Sequence, residues 1–551
     1  MTSKDEKARQ LTSQLWSMAN NLRGKMDASE YRDYILGFIF YRYLSYHQER
    51  YLEGVGVLTP NPDESVNDTY VRQAKEEGLE DWREEIAQEL GYAIDPDYTW
   101  ESLVHKVNEN TIRPEDFNNM LERFKANSRL NDKASADFQG VFDNINLGNS
   151  SLGNSTADRA RSFAELVRKI DEINFMDESG RDILGNVYEY LIAQFAGNSG
   201  KKAGEFYTPH TVSRILAKLV TYVDPATSKE DSRAITDEQT QFSVYDPTMG
   251  SGSLLLTVSK ELPGAQSHPD RVLFYGQEQN STTYNLARMN LMMHGVGYKY
   301  MNLCNGDTLE SDWPDGTDAN GVDHPLFFDA VVANPPYSQQ WENKPSKMKD
   351  PRFKDYGKLA PKSKADFAFV EHSLYHLKPT GRMAIVLPHG VLFRGAAEGI
   401  IRKAILEKNW LDAVIGLPAN LFYSTSIPTT ILVFTKNKKN NDILFIDASQ
   451  HFEKGKNQNN LRDEDIDLIF KTYADRKDVD HLAHVATIDE IRENDYNLNI
   501  PRYVDTFEEE ESIDLDEVNR ELSKVDAEIA RLQAEFDDMA KDLVETETDN
   551  D

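Results

Sequence analysis

The sequence predicts an α/β protein: a doubly wound, mostly parallel sheet, preceded by a helical region and followed by a coiled-coil-like helix. Three observations carry this. From about residue 205, short apolar runs alternate with amphipathic stretches, as in strand–helix units joined by crossovers. Residues 1 to about 175 hold no β-rich run and no strand alternation. Beyond residue 505, apolar positions recur at spacings of three and four in turn, the seam of a coiled coil. At 551 residues the chain exceeds the roughly 250 to 300 that one core sustains. The expected division is a helical domain over 1–175, a sheet domain over 176–480, and a linker with an acidic helix over 481–551.

Asp27-Ala28-Ser29-Glu30 has the form of a capping box, and Tyr31, Tyr34, Ile35, Phe38, Ile39 and Tyr43 follow near helical spacing, a core stripe. Residues 140–157, rich in Gly, Asn and Ser, read as a loop between subdomains. Strands are predicted at 242–246, 272–276, 328–333, 382–387, 413–416 and 430–434, with helices at 209–222, 252–261, 281–294, 365–377 and 395–408. An acidic run at 507–511 leads into Leu515, Val518, Leu522, Val525, Ile529, Leu532, Phe536, Met539 and Leu543.

Composition excludes several function classes. The net charge of -32 is the wrong sign for a chain that binds nucleic acid through its whole surface. No window approaches the roughly 18 apolar residues of a spanning helix, and the first residues lack a signal peptide's apolar region, so the cytoplasm is the expected location. The single cysteine, Cys304, cannot make an internal disulfide and has no nearby histidine, so it reads as a small packed hydrophobe.

The chemistry gathers where strands end, which is where open α/β sheets bind ligands. Asp246-Pro247-Thr248-Met249-Gly250-Ser251-Gly252-Ser253 follows a strand and opens a helix. Its glycines permit close backbone approach, but an acid leads it and no Lys-Ser/Thr follows, which disfavours a phosphate loop. Glu278 ends the next strand, where a carboxylate can accept from two vicinal ribose hydroxyls, and Asp307 follows the next segment, where it could accept from an adenine amine. In series these acids describe one adenosine held without phosphates, which suits S-adenosylmethionine better than NAD or ATP. Next comes Asn334-Pro335-Pro336-Tyr337. Proline cannot continue a central strand, and the Pro-Pro unit lets the Asn334 amide oxygen and the Pro335 carbonyl face one point. Two such acceptors would draw the hydrogens of an exocyclic amine out of the ring plane and aim its lone pair at a methyl group, while Tyr337 stacks on a flipped base. Adenine N6 and cytosine N4 fit this logic equally. Direct transfer needs no base, so His389 is assigned no such role.

Together, Asp-Pro-Thr-Met-Gly-Ser-Gly-Ser, Asn-Pro-Pro-Tyr and the upstream Gly204-Glu205-Phe206-Tyr207-Thr208-Pro209 resemble the amino-methylating DNA methyltransferases. In that combination, with the helical start and the stretches 381–388 and 417–423, the sequence resembles the modification subunit of type I restriction-modification systems over nearly its whole length. The resemblance implies transfer of a methyl group from S-adenosylmethionine to adenine N6, with no metal required. It implies cofactor binding by Glu205, Phe206, Tyr207, Thr208, Pro209, His210, Asp246, Gly250, Ser251, Gly252, Ser253, Glu278 and Asp307. Asn334, Pro335, Pro336 and Tyr337 would hold the target adenine, with Phe422 or Tyr423 as the other wall of its pocket. The implied partners are double-stranded DNA and a specificity subunit serving two copies of this chain. No helicase or nuclease motif is present, so restriction would fall to another subunit.

Between Trp341 and Lys364 stand eight basic residues against three acids. Lys344, Lys347, Lys349, Arg352 and Lys354 are the expected phosphate contacts, placing DNA rather than reading it. Two other functions compete with this reading. A solitary DNA methyltransferase would need its own basic, aromatic recognition module, yet residues 501–551 hold 19 acids and 5 bases. A protein-glutamine methyltransferase would share Asn-Pro-Pro-Tyr but leaves the helical start and the basic stretch without a purpose.

Overall fold

The computed structural model describes residues 28–175, 183–198, 207–223, 235, 240–314, 320–423, 425–456, 458–506 and 515–545. The first part is helical: α1 (Ala28–Gly54), α2 (Val66–Glu77), α3 (Leu79–Leu90), α4 (Trp100–Asn108), α5 (Pro114–Asn127), α6 (Thr156–Asp171) and α7 (Leu184–Asn198). Tyr31, Tyr34, Ile35, Phe38 and Ile39 of α1 are buried, and so are Leu36, Phe40 and Tyr41. A helix apolar all round must be enclosed by others, and Phe38 accordingly packs on Phe117 of α5 and Phe163 of α6. Tyr43 is half-buried and its hydroxyl donates to the Met292 carbonyl at 2.7 Å. Asp27, the leading residue of the expected capping box, lies outside the described residues.

The sheet has nine strands among the described residues: β1 (Phe242–Asp246), β2 (Val272–Glu278), β3 (Met301–Asn305), β4 (Phe328–Ala333), β5 (Leu377–Pro388), β6 (Leu411–Gly416), β7 (Thr429–Thr435), β8 (Ile443–Asp447) and β9 (Ala483–Ala486). Their order is β9-β8-β6-β7-β5-β4-β1-β2-β3. β1 and β4 are buried at every position, as fully covered parallel strands require. The helices between are α8 (His210–Thr221), α9 (Ser253–Glu261), α10 (Ser281–Met293), α11 (Asp366–Tyr375), α12 (Ala396–Glu407) and α13 (Asp463–Asp475). Every predicted strand and helix of this region is present, with bounds shifted by a few residues.

Parallel pairing holds from β3 through β5, and again between β6 and β8. β7 is antiparallel to both β5 and β6, and β9 is antiparallel to β8. The connection from β6 to β7 contains no helix, and without a crossover the chain can only return antiparallel. The strand order reverses at β1, with β2 and β3 on one side and β4 on the other, so the gap between β1 and β4 is the topological switch point.

The chain that leads into the expected interdomain stretch at 140–157 is stapled to α10, up to Gly140 at its start. The buried Arg288 of α10 donates through Nη1 to the carbonyls of Ala136, Asp137 and Gln139 at 2.9–3.1 Å, and Asn285 Nδ2 donates to the Gly140 carbonyl at 3.0 Å. Residues 506–551 form a separate unit. Its described part is one helix, α14 (Leu515–Glu545), on which Val518, Leu522, Val525, Ile529, Leu532, Phe536 and Met539 are 41–63% exposed. No helix among the described residues is long and apolar enough to cross a membrane.

Candidate active site

A cavity of about 410 Å³ opens at the carboxyl ends of the central strands, lined by Thr208, Asp246, Gly250, Ser251, Ser253, Glu278, Asn280, Asp307, Asn334 and Pro336 among others. Its volume suits a small organic molecule. Each acid is delivered by a different strand end: Asp246 by β1, Glu278 by β2, Asp307 just beyond β3.

The turn after β1 is set by side chain and backbone together. Asp246 Oδ1 accepts from the Thr248 N–H at 2.9 Å. Gly250 and Gly252 take left-handed φ of 53° and 74°, and a Cβ on Gly252 would run into Leu291, so side chains are excluded on two grounds. Asn290 Nδ2 fixes the Ser251 carbonyl at 2.9 Å. Glu278 then laces the turn to β2: Oε2 accepts from the Gly250 N–H at 3.2 Å, and Oε1 from the Asn280 N–H at 2.7 Å. Asp307 Oδ1 accepts from the Leu309 N–H at 2.9 Å. Burial pushes the Asp246 carboxyl up to about 8, and the neighbouring Glu278 charge adds to it. Glu278 is also raised by burial, against the backbone N–H groups of Asn280, Gly250 and Gln279 that favour its charge. Two desolvated acids side by side make a site that gains from a cation.

Past β4, the Asn334 amide is held at both ends. Its Nδ2 donates to Thr208 Oγ1 at 2.9 Å, and its Oδ1 accepts from the Tyr337 hydroxyl at 2.8 Å. The Tyr337 ring meets Phe422 edge-on, with centroids 6.0 Å apart, while the exposed Tyr423 lies 6.2 Å from Tyr207. Ser338 takes a left-handed φ of 53°, and its N–H donates to Asp366 Oδ1 at 2.8 Å. The other oxygen of this buried acid accepts from Arg394 Nη2 at 3.1 Å, and Arg394 pairs with Glu398 at 3.4 Å.

The structure thus gathers Thr208, the acids, the glycine turn, Asn334 and Pro336 on one cavity. Gly252, the buried Pro335, Tyr337, Phe422 and Tyr423 are not part of its lining. Glu205 and Phe206 lie outside the described residues. Tyr207 is buried in the core, and Pro209 and His210 open α8, which leaves the His210 side chain exposed and away from the cavity lining.

The basic stretch divides in two. Lys344, Lys349, Lys354, Lys358 and Lys362 are exposed. Lys347 and Arg352 are corrected from phosphate contacts to internal anchors. Lys347 Nζ binds the Leu309 carbonyl at 2.7 Å and Glu310 at 2.6 Å across the Trp341 ring. Arg352 is 2% exposed, clamped by Asp350 at 2.7 Å and by the Thr308 carbonyl at 2.8 Å, so no phosphate can reach it.

Asp366 and Arg394 escaped the sequence reading, because an acid opening a helix and a loop arginine carry no local signal of meeting a residue 28 positions away. Among the described residues one trio could by proximity hold a metal: Asp312, His372 and His376. Its ring nitrogens are already engaged, His372 by Tyr245 and Arg352, His376 by Asp312 and the Leu326 carbonyl. Burial, then His376 and Arg352, hold His372 well below the usual imidazole range. This is a polar knot within the core rather than a ligand set.

Comparison with known proteins accords with this geometry. The model of the N-6 DNA methylase family matches residues 179–512, and that of the HsdM N-terminal domain matches residues 11–170. The chain is 35% identical over 547 residues to the type I restriction enzyme MpnII methylase subunit of Mycoplasma pneumoniae, covering 96% of this chain and 95% of that one. It is 34% identical to the MjaVIII methylase subunit of Methanocaldococcus jannaschii, over 78% of this chain and 69% of the other. Among solved structures, the methyltransferase subunit of a type I restriction-modification system from Streptococcus thermophilus superimposes with a TM-score of 0.80 at 44% identity, over 91% of this chain and all of that one. A chain matched along its length in sequence and in fold, with its sheet-end motifs on one cavity, belongs to the N-6 DNA methylase family, among the methylase subunits of type I restriction enzymes.

Proposed function

We propose that the cavity holds S-adenosylmethionine and that the Asn334–Tyr337 turn presents the N6 amine of a flipped adenine to it, in DNA whose sequence a separate specificity subunit reads. One observation carries the site assignment: the Asn334 amide stands at the switch point with one end on the cavity residue Thr208 and the other on Tyr337. The donor set fits the cofactor. Glu278 and Asp307 offer acceptors for hydroxyl and amine groups, and the buried Asp246 and Glu278 gain from a cation. When bound, the cofactor supplies an electrophilic methyl group on a sulfonium. The chain's part is to orient. Asn334 Oδ1, through its second lone pair, and the Pro335 carbonyl accept the two amine hydrogens, so the lone pair leaves the ring plane. Tyr337 and Phe422 then supply aromatic surface for the base.

Lys344, Lys349, Lys354, Lys358 and Lys362 form the proposed track for the DNA backbone, the helical region and sheet domain meeting near residue 175. Two copies of the chain per specificity subunit, with restriction carried by a third chain, complete the proposal. The glutamine-methylating alternative is not favoured, because the matches of both domains are to DNA methylases and methylase subunits. The decisive experiment maps modified bases in host DNA with and without the gene. N6-methyladenine at one sequence, absent in the deletion, is the expected result, and identical maps would refute the proposal.

Two variants report on the two halves of the site. Tyr337→Ala is expected to slow transfer by about 5- to 150-fold, the value of one base–aromatic stack of roughly 1 to 3 kcal/mol, whereas Tyr337→Phe keeps the ring and removes only the hydroxyl that donates to Asn334. The Phe variant should stay within about threefold of wild type in single-turnover assays; equal losses in both would rule out stacking. Asp246 gives a pH signature. With its carboxyl near 8 in the empty cavity, it is mostly neutral at lower pH, and a cationic ligand must first displace its proton. Cofactor affinity is therefore expected to strengthen as pH rises toward about 8, by up to about tenfold per unit, and to level off above. Asp246→Asn should lack this slope in calorimetric titrations, and parallel profiles would show that Asp246 does not face the cation.

A further inference from the structure

An asparagine amide has two ends of almost equal size and opposite chemistry, and only the oxygen can accept a hydrogen from an amine. Something must decide which end faces the base. Building on the methyl-transfer reading, we infer that Thr208 is a positioning residue that makes this choice, holding Asn334 Nδ2 so that Oδ1 is the atom presented to the target.

The geometry gives both contacts of the amide. Nδ2 donates to Thr208 Oγ1 at 2.9 Å and Oδ1 accepts from Tyr337 at 2.8 Å. The amide oxygen has two lone pairs, so Oδ1 can take a base amine beside the Tyr337 hydroxyl, while Nδ2 is held by Thr208. That residue is well placed to hold it. Tyr207 before it is buried, and Pro209 after it caps α8, whose Val212, Ile215 and Leu216 are buried. α8 packs on β4, the strand that ends at Asn334. The Thr208 side chain is β-branched and stiff about χ1.

The hydroxyl also lines the cavity, and this couples the two sites. A threonine hydroxyl has one hydrogen and two lone pairs. Once an acceptor held in the cavity takes that hydrogen, Oγ1 can only accept. A flipped amide would then set oxygen against oxygen. An occupied cavity thereby fixes the reactive orientation of Asn334, and an empty one leaves it less determined.

The test uses the complex of this chain with its specificity subunit and target duplex. Thr208→Val, Thr208→Ala and Thr208→Ser are compared by calorimetry for cofactor binding and by methyl transfer at saturating cofactor. Val and Ala are expected to lower kcat by about 10- to 100-fold, the effect of leaving one part-buried polar group unpaired and loose in the site, and Ser should recover most of it. Because Thr208 acts through Asn334, adding Thr208→Val to Asn334→Ala should cost less than about threefold more. Normal kcat in the Val and Ala variants, failure of Ser to rescue, or a full multiplicative loss in the double variant would each overturn the inference. A wild-type complex that binds cofactor yet leaves DNA unmodified would instead overturn the methyl-transfer reading, and this inference with it.

Discussion

Asn334→Ala is expected to lower methyl transfer by on the order of 10²- to 10³-fold while cofactor affinity stays within a few fold of wild type. The size follows from removing a single preorganised polar group aimed at the reacting atom. An exocyclic amine is a poor nucleophile because its lone pair is spread into the ring, and Asn334 Oδ1 is the side-chain acceptor proposed to localise it. The selectivity follows from position. The carboxylates and the glycine turn that shape the cavity are fixed by Thr248, Asn280 and Asn290 rather than by Asn334. Calorimetry and single-turnover transfer on the same preparation separate the two. Wild-type turnover would remove Asn334 from the mechanism, and lost cofactor affinity would assign it to holding the cofactor instead.

Removal of residues 513–551 is expected to abolish assembly with the specificity subunit and site-specific methylation, while cofactor binding persists. α14 carries seven large apolar side chains, each 41–63% exposed, at coiled-coil spacing. Burying such a stripe against a partner is worth on the order of 1 kcal/mol per residue, so truncation should weaken association by at least about 10³-fold. The net charge of -32 makes the partner's contribution necessary, since a chain of that sign gains little from DNA on its own. Co-purification of the truncated chain with its partner, followed by transfer assays on target duplex, is the measurement. Full assembly and activity would assign the stripe to some other purpose.

Much of this was legible because strand ends announce themselves. Apolar runs stopping at Asp246, Glu278 and Ala333 marked β1, β2 and β4, and the residues just beyond them line the cavity. What stayed hidden depends on contacts across the chain. The direction of β7 is fixed by the helix-free connection before it, and an apolar run reads the same either way. Lys347 and Arg352 looked like their exposed neighbours because charge in a sequence says nothing of burial, and Asp350 and Glu310 turn both inward. The short strands at the two edges, β3 on one side and β8 and β9 on the other, were not predicted.

The reversed β7 has a consequence for how the pocket forms. β6 ends and β7 begins at the same edge of the sheet, so the segment 417–428 leaves and rejoins neighbouring ladders, tied by the Leu417 N–H to the Thr429 carbonyl at 2.9 Å and by the Asn420 N–H to the Ser426 carbonyl at 3.2 Å. Its described residues, tied in this way, have surrendered chain entropy on folding. Phe422 therefore stands opposite Tyr337 in the folded chain, and under the proposed function little further disorder would be lost in clasping a base. A crossover helix in that place would have carried the chain away from this edge, and Tyr337 would have stood without Phe422 beside it.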